Sequence, residues 1–149
     1  MKKSVILVVL LCLLAMVSSI ASAEPAPQLT KVTIDAIGVD QSGNWIPVDN
    51  FQNPAGTVYG QNLYIQVTYA GMPSGTPMLL QNGQVMAGAQ IYINEKKYYN
   101  KVLVGLTQCF KVPIGNVHGT TNLGQISVKA FNNMGATYVG YVNNVSMIY

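Results

Sequence analysis

The chain has 149 residues, of which 50% are hydrophobic and 9% charged, with no arginine and a single histidine. That length bounds it to one ordinary domain, and its charge content lies far below the ~25% of typical globular chains. The low charge excludes a solvating disordered chain, and the absence of a Lys/Arg footprint excludes a nucleic-acid binder.

Lys2 and Lys3 form a short basic segment, followed by an apolar run from Val5 to Val17 and the small residues Ala21-Ser22-Ala23. This is the pattern of a secretory signal with cleavage after Ala23. The run is shorter than the ~20 residues a spanning helix needs. The expected organisation is a leader over 1–23, an extended lead-in over 24–29 and one domain over 30–149. The protein is then secreted, extracellular or periplasmic, with no membrane span after cleavage. Cleavage leaves 126 residues in which 6 lysines face 5 acids, a formal charge of +1. It also removes Cys12, so Cys109 has no intrachain partner.

Pro25 and Pro27 make the lead-in extended rather than helical. From Lys31 the chain alternates, with Val32, Ile34 and Ala36 on one face, as a half-buried strand requires. Gly38 to Pro54 reads as a loop interrupted by Trp45-Ile46-Pro47-Val48. Leu63, Ile65, Val67 and Tyr69 alternate as a second strand, and Gly71 to Pro77 reads as a turn-rich connection. Asn82-Gly83 between two apolar runs is a hairpin turn, because both residues accept positive φ. Ile91 and Ile93 open another strand that is expected to turn over Asn94 to Lys97. Tyr98 to Leu106 and Phe110 to Ile114 read as two extended stretches, with Pro113 ending pairing. Gly115 to Gly124 reads as a polar loop. Ile126, Val128 and Ala130 alternate, Asn132 to Gly135 turns the chain, and a last strand runs from Thr137 to Tyr149 with a bulge at Asn143-Asn144. No window sustains helical periodicity over three turns. The expected fold is all-β: an antiparallel β-sandwich of about seven to nine strands.

The segment Gly124-Gln-Ile-Ser-Val-Lys-Ala-Phe-Asn-Asn-Met-Gly135, followed by Ala-Thr-Tyr-Val-Gly-Tyr-Val, resembles the last two strands of bacterial immunoglobulin-like domains. Gln61 to Tyr69 is similar to their second strand. The resemblance implies an immunoglobulin-like sandwich. It carries over no functional residue. The paired cysteines of antibody domains are absent, and Trp45 precedes the second-strand segment instead of following it.

Most chemistries lack their residues. One histidine, His118, and one cysteine after cleavage cannot assemble an ordinary zinc set. No Gly-x-Ser-x-Gly elbow, phosphate loop or dinucleotide fingerprint occurs. Asp40, Asn44, Asp49 and Asn50 offer oxygen ligands for Ca²⁺, but Asp and Asn also serve as turn residues, and the spacing is not that of an EF-hand. No cofactor is expected. For Cys109 two outcomes stand open: a buried small hydrophobe, or the bond of an intermolecular disulfide.

What remains is a neutral polar surface. The segment after Ala23 holds 13 Asn and 10 Gln, more than twice its charged residues. Amides match sugar hydroxyls as donors and acceptors, and aromatic faces pack on sugar rings. The leading expectation is a secreted, non-enzymatic immunoglobulin-like module that binds a surface protein or neutral glycan, with Trp45, Asn44, Asp49 and Asn50 as ligand-binding residues. The low charge also suits self-association. A structural subunit of an extracellular fibre or matrix is the second reading. A small secreted hydrolase, inhibitor or toxin is the third.

Overall fold

The computed structural model describes residues 25–38, 44–114 and 119–148. The leader, Asp40 and His118 lie outside the described residues. Ten strands and no helix are described: β1 (Lys31–Gly38), β2 (Trp45–Pro47), β3 (Val58–Tyr59), β4 (Asn62–Ala70), β5 (Ser74–Gln81), β6 (Gln84–Val85), β7 (Gln90–Tyr99), β8 (Val102–Pro113), β9 (Thr120–Phe131) and β10 (Thr137–Ile148). They form two five-stranded sheets, ordered β2-β1-β4-β8-β7 and β3-β10-β9-β5-β6. Every pairing is antiparallel except the short β3, which runs parallel to the end of β10. The molecule is an all-β sandwich.

The core lies between the sheets. Val32, Ile34, Ile37, Leu63, Ile65, Val67, Leu106 and Phe110 enter it from the first sheet, and Leu79, Ile126, Val128, Val142, Val145 and Met147 from the second. Alternation along β4 and β9 places these residues inward, as the sequence predicts. β1 departs from strict alternation. Its register on β4 slips between Ile34 and Ala36, so Ile34 opposes Val67 and Ile37 opposes Ile65. Ile37 therefore takes the core position that simple alternation gives to Ala36, and Ala36 pairs with Gln66 on the outer face. The extra residue is Asp35, whose carboxylate accepts a hydrogen bond from the Thr68 hydroxyl. The bulge inserts one residue between Ile34 and Ile37, so that both face the core while Asp35 stays on the polar side.

Four other expectations change. The stretch read as a polar loop over Gly115 to Gly124 gives Thr120–Gly124 to β9, where these residues pair with the end of β10. β7 does not turn over Asn94–Lys97; it continues to Tyr99, and the turn is Asn100-Lys101, both at positive φ (48° and 68°). That turn splits the stretch expected from Tyr98 to Leu106: Tyr98 and Tyr99 end β7, and the rest joins Phe110 to Pro113 in one strand, β8, twelve residues long. β5 begins at Ser74, inside the supposed connection, with a register break before Met78. The Asn82-Gly83 turn, the Asn132–Gly135 turn and the bulge near Asn144 stand where they were expected. The lead-in is tied down rather than loose. Leu29 is fully buried, and the Met72 amide donates to the Pro27 carbonyl at 2.8 Å.

Candidate functional site

The loop between β2 and β3 is built by one aspartate. Asp49 Oδ1 accepts from the Phe51 amide at 2.9 Å and from the Asn53 amide at 2.8 Å. The Gln52 amide donates to the Asp49 carbonyl, and the Asp49 amide donates to the Asn53 carbonyl. Gln52 sits at φ 63°. A carboxylate that accepts two backbone amides closes a turn that unaided backbone would leave open. The turn is then fastened to the bulge of β10. The Asn143 amide donates to the Gln52 carbonyl at 2.7 Å, and Asn144 Nδ2 donates to Asn53 Oδ1 at 2.9 Å.

This fastening creates a groove. β2 covers only the end of β1, and β3 covers only the end of β10. Between those covers the rims of the two sheets lie side by side. Gly140 permits the approach: a Cβ there would stand 3.0 Å from the Val32 carbonyl oxygen. The resulting groove has a volume of about 380 Å³, with Lys31 and Asp35 on β1, Asp49, Asn50 and Gln52 on the loop, and Tyr141 on β10. Gln52 Oε1 is shielded and has no hydrogen-bond partner among the described residues. Tyr141 is 40% exposed. The arrangement offers two carboxylates, amides, one ammonium and one aromatic ring, which suits hydrogen bonding to a polar ligand of small net charge. Phe51, 82% exposed, is held at the tip of the same turn.

The expected site residues are divided by this geometry. Asp49 and Asn50 line the groove. Trp45 and Asn44 do not line it. The six-membered ring of Trp45 rests against Gly38, close enough that a Cβ at Gly38 would meet it at 3.1 Å. Trp45 is half-buried and is not part of the core cluster; its neighbour Ile46 packs there instead. The direct pairs Gly38–Trp45 and Gly38–Tyr64 place the indole in one row with Tyr64 on the outer face of the first sheet. Tyr64 in turn meets Tyr92 edge-on, at 5.3 Å and 79°. Among the described residues, no three of His, Cys, Asp and Glu gather to hold a metal ion.

Cys109 shares its face with Thr107 and Lys111, yet only 4% of it is exposed. Burial pushes its thiol pKa up from the ordinary value; a hydrogen bond with Tyr92 pulls the other way, and the charge of Glu95 adds to the rise. A buried thiol held protonated is a poor nucleophile and a poor partner for a disulfide. Sequence reading missed Tyr141, Asp35 and Gln52, because no local signal connects residues so far apart in the chain. Tyr141 was visible only as one member of an alternating strand.

A comparison with curated proteins finds no match, and a comparison with solved structures finds none. A family model described as "Domain of unknown function (DUF4879)" matches residues 24–145. That match spans most of the chain, and the protein belongs to this family.

Proposed function

We propose that the protein is a secreted, non-enzymatic module of immunoglobulin type that binds a neutral glycan or a polar protein segment in the groove between β1, β10 and the Asp49 turn. Strand order supports the immunoglobulin reading. With β1, β4, β5, β7, β8, β9 and β10 taken as strands A to G, β1-β4-β8-β7 follows the A-B-E-D order and β10-β9-β5 the G-F-C order. β6 extends the second sheet beside β5. The leader at 1–23 supports secretion, and the family match begins at Glu24, directly after the expected cleavage.

One observation carries the binding reading: a polar groove whose walls come from three separate segments, fixed by the Asp49 turn and its bonds to Asn143 and Asn144. A preformed groove loses little entropy when it binds. In it, Asn50 and Asp49 serve as hydrogen-bonding groups, and Tyr141 as the ring platform. Trp45 and Asn44 stand outside it. The test is retention of the purified protein on neutral polysaccharide and cell-wall matrices. Tyr141→Ala and Asn50→Ala are expected to weaken retention about tenfold, the worth of one good contact of ~1.4 kcal/mol, while the melting temperature stays put. Retention unchanged in both variants contradicts the reading.

A further inference from the structure

A second surface lies at the end of the sandwich away from the Trp45–Tyr64 row. The last full row of the first sheet is Lys31–Ala70–Gly105–Lys97. Beyond it β4 ends, and the final bond to β8 is from the Gly71 amide to the Val104 carbonyl. From there the β7–β8 hairpin runs on as a two-stranded ribbon, through the pairs Tyr98–Leu103 and Tyr99–Val102, to the Asn100-Lys101 turn. The ribbon exposes apolar groups on both faces: Tyr99 is 70% exposed, and Tyr98, Val102 and Val104 are exposed as well. Met134, 73% exposed, projects from the β9–β10 turn at the same end.

The charge around the ribbon is predominantly positive. Four of the six lysines after Ala23 are at this end: Lys31, Lys96, Lys97 and Lys101. Glu95 is the only acid between Gln90 and Pro113. Asp35 is engaged by Thr68, whose hydroxyl oxygen also accepts from Lys97 Nζ at 3.2 Å.

We propose that this end of the molecule docks on an anionic lipid bilayer, the Tyr98–Val102 tip entering the interfacial layer and the lysines facing lipid phosphate. The shape selects this occupant. A convex ribbon exposed on both faces encloses nothing; it is buried only by a medium that closes around it. A bilayer interface does so, and tyrosine, with an apolar ring and a polar tip, is suited to that depth. The lysine collar supplies the complementary charge. The surface shares Lys31 with the groove, but the Tyr98–Val102 tip and the other lysines lie outside it, so the tip's occupant does not depend on what the groove binds.

The test is co-sedimentation of the chain that follows the leader, residues 24–149, with mixed phosphatidylcholine–phosphatidylglycerol vesicles and with pure phosphatidylcholine vesicles. Binding is expected to the mixed vesicles only, and to fall with added salt. Lys101→Gln is expected to weaken it about fivefold, the share of one lysine near an anionic surface. The double variant Tyr98→Ser/Tyr99→Ser is expected to abolish it while circular dichroism and melting temperature stay unchanged. Wild-type protein that ignores anionic vesicles overturns the proposal, as does a double variant that binds like the wild type. A double variant that loses only self-association, read by size exclusion, assigns the tip to a second copy and equally overturns it.

Discussion

Gly71 follows directly on β4 at φ 90°, and a Cβ there would collide with the Gln28 carbonyl oxygen. Both the dihedral and the contact forbid a side chain. Gly71→Ala is therefore expected to cost about 2–4 kcal/mol, read as a lowered denaturation midpoint. Two buried titratable groups make a different prediction. Burial raises the Tyr69 phenol far above its ordinary value of 10.0 and raises the Cys109 thiol above 9.0. Both groups are neutral when protonated, so the unfolded chain ionises first as pH rises. Their stabilising share is whole below pH 9 and is lost as pH climbs past 9 and 10 toward the folded values. Denaturation midpoints should hold from pH 7 to 9 and fall beyond. Tyr69→Phe should flatten the upper part of that fall. Its hydroxyl has no partner among the described residues, so at pH 7 the variant should be no less stable than the wild type.

At the scale of elements, the Asp49 turn is the piece on which the groove depends. Asp49→Ala removes the acceptor for two backbone amides and is expected to cost about 1–2 kcal/mol, by thermal melt. Asp49→Asn keeps an acceptor oxygen and should recover most of that loss. Those elements whose information is local were readable in the sequence. β4 and the second half of β9, from Ile126 to Ala130, alternate, and Asn82-Gly83 names its own turn. β1 was readable as a strand but not as a register, because the Asp35 bulge answers to Thr68 on another strand. The β7–β8 turn was misplaced because Lys96 and Lys97 read as a loop, whereas an edge strand uses such charges to block further pairing. Asn100-Lys101 carries a weaker turn signal than Asn-Gly, since lysine resists positive φ.

For the molecule as a whole, the sandwich followed from alternation and turn spacing, but the groove did not. It joins residues 31–35, 48–52 and 139–141, segments that meet only because the short β2 and β3 leave the two sheet rims partly uncovered. Asp49 and Asn50 stand beside Trp45 and Asn44 in one short stretch of sequence; only the folded chain separates the two pairs. The groove and the lysine-collared hairpin give the protein two surfaces of different chemistry, one polar and concave, one apolar and convex. The most direct test of the groove is a titration of the ¹⁵N-labelled protein with neutral oligosaccharides released from cell-wall polysaccharide, followed by amide chemical shifts. Saturable shifts confined to residues 31–35, 48–52 and 139–141 are expected. Shifts centred on Trp45 and Tyr64, or no saturable shift with either these sugars or short polar peptides, would contradict the account.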